Sequence, residues 1–429
     1  MGVSLECGDL YPTLQDRVVH QVREALDRRK EPVSDQVLVI VPTRAMRTAL
    51  LRACSAENSA GFYGLNLMSI NHLAIKIILD TLQKSRTLVS DSIFFPFALY
   101  SIAVKHKLEP FRSFRVCQAL YQSIRDLIDG GLNAELLREA LEEARQDPSM
   151  AIHLDFQELS ALQRIYSRFE TFLQEHKILN LQTSAANAVG CAADWARSKK
   201  ISSVFIYGFY DATQTQCDVL EEIIRSVAEQ NGNARIFFPF PVSETMVDYP
   251  AFYSQPFFDR MYSLISRFGG ETLCHTKRVR LASAQIESSL FKDESMKEKD
   301  LARVDFFSAA GPYDEAWVVA KNILEIVRNH GASFDQILVL TRALEDPLPL
   351  MRVFEENRIP SNLVRGATLA HDPYARFSSL VLRARQSRLN AATLFEFLSS
   401  PFVRRTGYKD IRNIKDLMEK LYIRNWDDW

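Results

Sequence analysis

Two patterns of apolar and polar positions divide the chain, and the first of them predicts an α/β unit. Residues 36–41 read QVLVIV, a nearly continuous apolar run that is typical of a parallel strand covered on both faces. Comparable runs stand at 203–207 and 234–238. The segment 14–30 places apolar residues three and four positions apart, which predicts an amphipathic helix. Together these segments predict one parallel sheet with helices between its strands.

The second pattern fills residues 90–196, where apolar residues recur at helical spacing and no strand-like run separates them. The Gly130-Gly131 pair is expected to end one of these helices. We therefore expect 90–196 to form a helical insertion in an α/β domain that is built from 1–89 and 197–282.

A change to polar composition marks the boundary of a further unit. Residues 283–302 are polar, charged and free of glycine, which predicts a linker. Apolar runs at 304–308 and 336–341 predict strands of a second α/β domain over 303–388. Helical spacing returns afterwards, so 389–429 is expected to begin another helical insertion.

Length and composition restrict the class of protein. A chain of 429 residues predicts several domains, and 47% hydrophobic with 24% charged residues is typical of a soluble globular protein. The 52 basic and 53 acidic residues give a net charge of -1, so nucleic-acid binding has to come from local basic patches. Six scattered cysteines without a C-x-x-C spacing argue against a zinc site, an iron–sulfur cluster and a disulfide framework. The N-terminus has no signal-peptide pattern and no apolar run is long enough for a bilayer, so we expect a cytoplasmic protein.

The nucleotide-binding motifs that such sheets carry are missing. A P-loop follows the first strand with G-x-x-x-x-G-K-[ST]. Here the predicted first strand is 3–5, the following residues 6–12 read ECGDLYP, and no Gly-Lys pair occurs in the chain. Glu6 and Asp9 are expected to place negative charge where a triphosphate needs positive charge. An active NTPase ends a later strand in Asp-Glu, which holds Mg²⁺ and orients water, whereas this chain has Tyr207 and Gly208.

Several segments, in the same order along the chain, resemble superfamily 1 helicases of the UvrD type. The resemblance is greater to the inactivated helicase part of the AddB/RexB family, whose members have a V-D-G-F-like form where active helicases have V-D-E-F-Q-D. The resembling segments are 37–47 (motif Ia), 68–74, 206–211, 314–323, 333–342, 354–360 and 369–373.

The resemblance implies two RecA-like parallel-sheet domains with helical insertions. It implies an ATPase-inactive module that binds one DNA strand of a broken duplex while a partner helicase–nuclease subunit drives movement, in double-strand break processing and recombination. The family's nuclease domain, with its iron–sulfur cluster and Mg²⁺, has no counterpart in this sequence, so no cofactor, metal or catalytic residue is predicted here. An alternative is a non-enzymatic scaffold that docks the partner helicase without binding DNA. An enzyme of other chemistry is disfavoured, because the chain lacks paired carboxylates, a nucleophile elbow and metal spacing.

The predicted DNA contacts lie at strand ends, and each has a structural alternative. Thr43, Arg44 and Arg47 are interpreted as a phosphate-contacting loop or as a solvated helix start. Ser69 and Asn71 are interpreted as hydroxyl and amide contacts to one DNA strand, with capping of the following helix by either residue as the alternative. Phe209 and Tyr210 are candidates for stacking on bases, with packing in the core as the alternative. Arg342 is a candidate DNA contact, with a structural ion pair as the alternative.

Overall fold

A computed structural model of the chain describes residues 2–29, 31, 35–56, 63–82, 86–146, 155–239, 254–275, 305–341, 348–362, 369, 372–386, 390–403, 413, 416–418 and 420. The predicted linker at 283–302 lies outside the described residues. The chain forms two compact units, Met1–Ala302 and Arg303–Trp429. None of the helices in the described ranges is both long and apolar enough to cross a membrane.

The first unit is built on a parallel sheet. Its strands are β1 (Val3–Gly8), β2 (Gln36–Val41), β3 (Leu65–Ser69), the short pair β4 (Thr87–Val89) and β5 (Ile178–Asn180), β6 (Ile201–Tyr207), β7 (Asn233–Pro239) and β8 (Glu271–His275). Six of them form one sheet in the order β3-β2-β6-β7-β1-β8, and every pairing in it is parallel. The predicted α/β class with a parallel sheet is therefore confirmed.

Helices cover both faces of this sheet, which explains the continuous apolar runs of its strands. The helices of the unit are α1 (Gln15–Asp27), α2 (Arg44–Ala56), α3 (Ile70–Leu82), α4 (Phe94–Lys105), α5 (Phe114–Asp129), α6 (Ala134–Gln146), α7 (Phe156–Glu175), α8 (Ser184–Ser198), α9 (Gln214–Glu229) and α10 (Gln255–Arg267). Val37 and Val39 of β2 face the core formed with α1 and α2. Leu38 and Ile40 face the opposite core, which is formed with α3, α8, α9 and α10.

The helices α4 to α7, which lie between β4 and β5 in the chain, form a bundle with its own core. The rings of Phe95, Tyr121 and Phe169 are buried at its centre, with the Phe95 and Tyr121 centroids 5.3 Å apart. The helix α8, which the sequence places inside the insertion, packs on α3 and α9 over the sheet instead. Its buried face carries alanines, which allow close approach of the neighbouring helices. Trp195 anchors α8 to α3, because its Nε1 donates a hydrogen bond to the Asp80 carboxylate.

The second unit differs from the sequence prediction in its strands. Its helices are α11 (Pro312–His330), α12 (Leu348–Glu356), α13 (Pro373–Gln386) and α14 (Ala391–Ser399). The predicted strands at 304–308 and 336–341 are not formed in the described residues 305–308 and 336–341. Ile337 and Val339 pack against the small core of this unit, but Leu338 and Leu340 remain 78% and 83% exposed. A strand needs a hydrogen-bonded neighbour, and the described residues of this unit provide none.

Candidate functional site at the carboxyl edge of the sheet

Most of the predicted contact residues meet at one edge of the sheet. The strands β3, β2 and β6 are adjacent and parallel, so their carboxyl ends lie side by side. Arg44 follows the end of β2, Asn71 follows β3, and Tyr210 follows β6. Parallel sheets bind ligands at this edge, because the loops and helix N-termini that follow the strands converge there.

The first turn of α2 presents two cations that no other described residue pairs with. Thr43 caps this helix, since its Oγ1 accepts a hydrogen bond from the Met46 N–H at 3.2 Å and its carbonyl accepts one from the Arg47 N–H at 3.0 Å. Arg44 is exposed and Arg47 is half-buried. Neither guanidinium has a hydrogen-bond or ion-pair partner among the residues that the structure describes. Two free arginines at a helix N-terminus, where the helix dipole is positive, form a surface that attracts anions.

The residues at the junction of β3 and α3 support the start of a helix, and Asn71 among them is also exposed. The helix α3 begins at Ile70, so Ser69 occupies the capping position and Asn71 lies inside the first turn. The Asn71 Oδ1 accepts a hydrogen bond from the Gln216 Nε2 at 3.3 Å. Gln216 also completes a capping box with Thr213 at the start of α9. Asn71 therefore links the first turns of α3 and α9 at this edge.

The two aromatic rings after β6 lie in different environments. Phe209 is 2% exposed, and its ring stacks on Phe257 at a centroid distance of 6.0 Å. Tyr210 is 57% exposed. Of these two rings, Tyr210 is the one that offers a face to a ligand. The other predicted contact, Arg342, lies outside the described residues.

Side chains of the protein fill the space between the ends of β1, β2 and β6. Gly208 has a φ of +79°, and a Cβ atom on it would lie 2.2 Å from the Met46 Sδ and 3.7 Å from the Leu10 Cδ1. The Tyr207 hydroxyl donates a hydrogen bond to the Leu10 carbonyl at 3.2 Å. The sequence does not single out Leu10 or Met46, because each is an ordinary apolar residue in its local pattern.

The turn between β1 and α1 is acidic and internally bonded. Burial raises the pKa of the Asp9 carboxyl, and Asp16 lies in the first turn of α1. The Leu14 N–H donates to the Asp9 carbonyl at 3.0 Å, and Pro12 has no N–H. This turn therefore lacks the row of free amides with a lysine that binds a phosphate chain.

The structure corrects the sequence argument about Glu6. This residue belongs to β1 rather than to the following turn, and it is fully buried. Its carboxylate accepts hydrogen bonds from Arg17 at 2.6 Å, Gln21 at 2.7 Å and Arg235 at 3.4 Å, and it lies 2.9 Å from the His275 Nε2. Burial acts to raise the pKa of Glu6, but the hydrogen bonds to its carboxylate and the positive charge of Arg17 together lower the pKa below its ordinary value. Glu6 clamps β1 to its neighbours and adds no unpaired negative charge to the site.

Replacing Gly208 by alanine tests the packing of this edge. A β-carbon there meets Met46 and requires the strained left-handed conformation, so we expect a loss of about 1–3 kcal/mol in the free energy of unfolding. Urea denaturation measures this loss. Gly190→Ala in α8 is the control, since nothing lies within 4 Å of its added Cβ, and it is expected to be neutral or stabilising. Equal stability of the two variants would contradict the described packing.

Within the described ranges, no group of three or more His, Cys, Asp or Glu side chains comes together in a way that could hold a metal ion.

The comparisons with known proteins point to one family. A family model described as "ADDB, N-terminal" matches residues 15–232. The chain is 22% identical over 415 residues to the ATP-dependent helicase/deoxyribonuclease B subunit of Natranaerobius thermophilus, a match that covers 90% of this chain and 34% of that protein. It is 25% identical over 270 residues to the protein of the same name from Alkaliphilus oremlandii, which covers 60% of this chain and 22% of that protein. The chain thus spans about a third or less of the length of these relatives.

Proposed function

This chain belongs to the AddB family, and on that basis we propose that it is the DNA-binding, ATPase-inactive, helicase-like module of a helicase–nuclease. Its role is in DNA repair, where it guides one strand from the end of a broken duplex during recombinational processing. A partner helicase–nuclease subunit supplies the motor. The proposed location is the cytoplasm. The nuclease chemistry named in the relatives is not assigned to any residue of this chain.

One observation carries the DNA-binding proposal. Arg44 and Arg47, which have no partner among the described residues, stand on the first turn of α2 at the edge where three parallel strands end, and the exposed ring of Tyr210 follows the adjacent strand. Guanidinium groups pair with phosphate oxygens, and an exposed ring stacks on a base that is not in a duplex. This combination favours a single strand over a duplex, because the bases of a duplex have no free face.

The absence of ATPase activity is proposed from the same edge of the sheet. A magnesium nucleotide would need the amide cradle and lysine after β1 and a carboxylate after β6. The chain has Asp9, Leu10 and Pro12 after β1, and it has Gly208 after β6 with Met46 against it. These residues do not fit the group, so no step of the mechanism passes through a nucleotide.

The finer description of the fold is part of the proposal. We propose that the first unit is a RecA-like domain, with the bundle α4–α7 inserted, and that 303–388 begins a second RecA-like domain. The exposed apolar residues Leu338 and Leu340 support this second assignment, since they form one face of an unpaired apolar segment that a sheet would cover. The domain boundaries within the chain remain predictions.

Nucleotide binding tests the inactive state. We expect no saturable binding of ATP or ADP with Mg²⁺ at concentrations up to the millimolar range, because the site has no cradle for the phosphates. Isothermal titration calorimetry on the full-length protein measures this directly, with the motor-bearing partner as the positive control. Tight, magnesium-dependent binding by the full-length protein alone would overturn the assignment of an inactive module.

Single-strand binding separates this function from the scaffold alternative. Fluorescence anisotropy with a labelled oligonucleotide is expected to show binding at low salt, and the logarithm of the binding constant is expected to fall linearly with the logarithm of salt concentration. A blunt duplex of the same length serves as the comparison. If the protein binds its motor partner but shows no affinity for the single strand at low salt, the scaffold function is correct.

A further inference from the structure

The helix α4 is apolar around most of its circumference, with Ser101 and Lys105 as its exposed polar residues. Its sequence, FFPFALYSIAVK, contains one charged residue, Lys105. Phe95, Leu99 and Ile102 are buried in the core of the bundle. A helix that is apolar on every side is ordinarily buried on every side. The composition of α4 therefore predicts a second contact surface opposite the bundle core.

The opposite face of α4 is exposed in this structure. Ile93 is 62% exposed, Phe97 60% and Val104 42%, and their spacing places them in one stripe along the helix. The half-buried rings of Tyr100 and Phe114 adjoin the stripe, with centroids 6.4 Å from the centroid of Phe97. We call these five residues the α4 surface. Contiguous exposed apolar residues of this kind mark contact sites for macromolecules.

The carboxyl end of the α4 surface is cationic. Lys105, Lys107 and Arg168 have no ion-pair partner among the described residues, whereas the nearby carboxylate of Glu109 is engaged by Arg112 at 2.7 Å. The pKa of His106 is lowered by desolvation and by the positive charges of Arg168 and Lys105, which places these cations close together. A partner that covers this end is expected to bring carboxylates.

We propose that the α4 surface is a docking site for the motor partner, which presents an apolar patch with carboxylates opposite Lys105 and Arg168. This inference rests on the proposed function, since it takes its partner from that function. The aliphatic side chains of Ile93 and Val104 favour a protein over DNA, because aliphatic groups do not stack on bases. Aromatic residues at the centre of a surface with charged residues at its rim are typical of protein interfaces.

Side-chain labelling with hydroxyl radicals tests the occupant of the surface. The full-length protein is labelled alone, with its motor partner, and with single-stranded DNA, and mass spectrometry measures the oxidation of Phe97 and Tyr100. We expect both rings to be labelled in the isolated protein, to be protected severalfold by the motor partner, and to be unaffected by DNA. Protection in the isolated protein at low concentration would assign the surface to the rest of the chain, and protection that grows with protein concentration would assign it to a second copy. Protection by DNA would make it a nucleic-acid surface, and each of these three results would overturn the proposal.

Binding of the motor partner to variants provides the second measurement. Phe97→Asp is expected to raise the Kd for this partner by on the order of tenfold or more, as truncation of a central aromatic contact does. Leu136→Asp is the control, because Leu136 is 42% exposed on α6 of the same bundle. The double variant Lys105→Glu/Arg168→Glu is expected to weaken binding and to reverse its salt dependence.

The outcomes separate this inference from the function on which it rests. One outcome is that the motor partner binds Phe97→Asp and the double variant as tightly as the unmodified protein, with the rings still labelled in the complex. In that case the proposed docking site is wrong, and the proposed partner is still correct. If the motor partner does not bind the unmodified protein at all, the proposed partner and the docking site both fail. Single-strand binding by the full-length protein is measured separately and is not changed by either result.

Discussion

Replacing Glu6 by alanine is expected to lower the free energy of unfolding by about 3–5 kcal/mol, the usual cost of removing one member of a buried ion pair. Glu6 is fully buried in β1, and its carboxylate lies among Arg17, Arg235 and His275. The substitution leaves the guanidinium groups of Arg17 and Arg235 without their counter-charge and removes the acceptor of Gln21. Urea denaturation followed by circular dichroism measures the change.

Two controls define what the Glu6 measurement means. Glu24→Ala removes a half-buried carboxylate of α1 that pairs with the exposed Arg28, and we expect a cost of about 1 kcal/mol or less. Glu6→Gln keeps the size of the side chain and removes its charge, so its cost isolates the electrostatic part. Equal costs for Glu6→Ala and Glu24→Ala would show that the buried cluster does not hold β1 in the sheet.

The direction of the pKa shift fixes the pH dependence of this contribution. The folded state lowers the pKa of Glu6 from its ordinary value of 4.5. The ionised carboxylate therefore stabilises the fold fully above pH 4.5, and this stabilisation is lost as the pH falls below 4.5 through the folded value. The difference in stability between the unmodified protein and Glu6→Gln should be constant near neutral pH and shrink in acid. A difference that grows in acid would mean that the shift has the opposite sign.

The Glu6 cluster also shows where a prediction from sequence stops. The pattern predicts the first strand only as far as Leu5 and assigns residues 6–12 to a loop, because a charged residue in a central strand contradicts the apolar pattern. The groups that make this burial favourable, Arg235 and His275, lie 229 and 269 positions away in the chain. Local pattern does not contain such pairings, so it does not predict the extension of β1 to Gly8.

The strands that the sequence predicts correctly have a common feature. The runs at 36–41, 203–207 and 234–238 are buried on both faces, and burial on both faces leaves a continuous apolar pattern that is visible without a partner. The edge strand β8 is exposed along most of its length and has no such pattern. The segment at 336–341 has the pattern but no neighbour among the described residues, which shows that an apolar run predicts the propensity for a strand and not its pairing.

The sequence predicts which strand ends form the candidate site, but it does not predict which side chains are exposed there. The order of the strands places the residues after β2, β3 and β6 together, as residues after parallel strands are expected to lie. Phe209 and Tyr210 are adjacent aromatic residues, yet one is in the core and the other is exposed. The turn at Gly208, with its positive φ, breaks the alternation of the strand, so no period assigns either ring to a face.

The double variant Arg44→Ala/Arg47→Ala is expected to weaken binding of a single strand by on the order of tenfold or more at low salt. Each arginine that contacts a phosphate releases counterions, and for single strands the slope of log binding constant against log salt is about 0.7 per contact. Loss of two contacts should therefore reduce the magnitude of this slope by about 1.4. Anisotropy titrations at several salt concentrations measure both quantities.

The change in slope distinguishes a phosphate contact from a general loss of positive charge. Arg225→Ala removes a cation from α9, where Arg225 pairs with Glu222 three turns after the helix begins at the carboxyl edge. This control is expected to leave the affinity and the slope unchanged. Tyr210→Ala is expected to lower the affinity at every salt concentration without changing the slope, since stacking on a base releases no counterion. If the arginine double variant keeps the slope of the unmodified protein, the DNA strand does not pass over α2, and the carboxyl edge of this sheet is not the binding site.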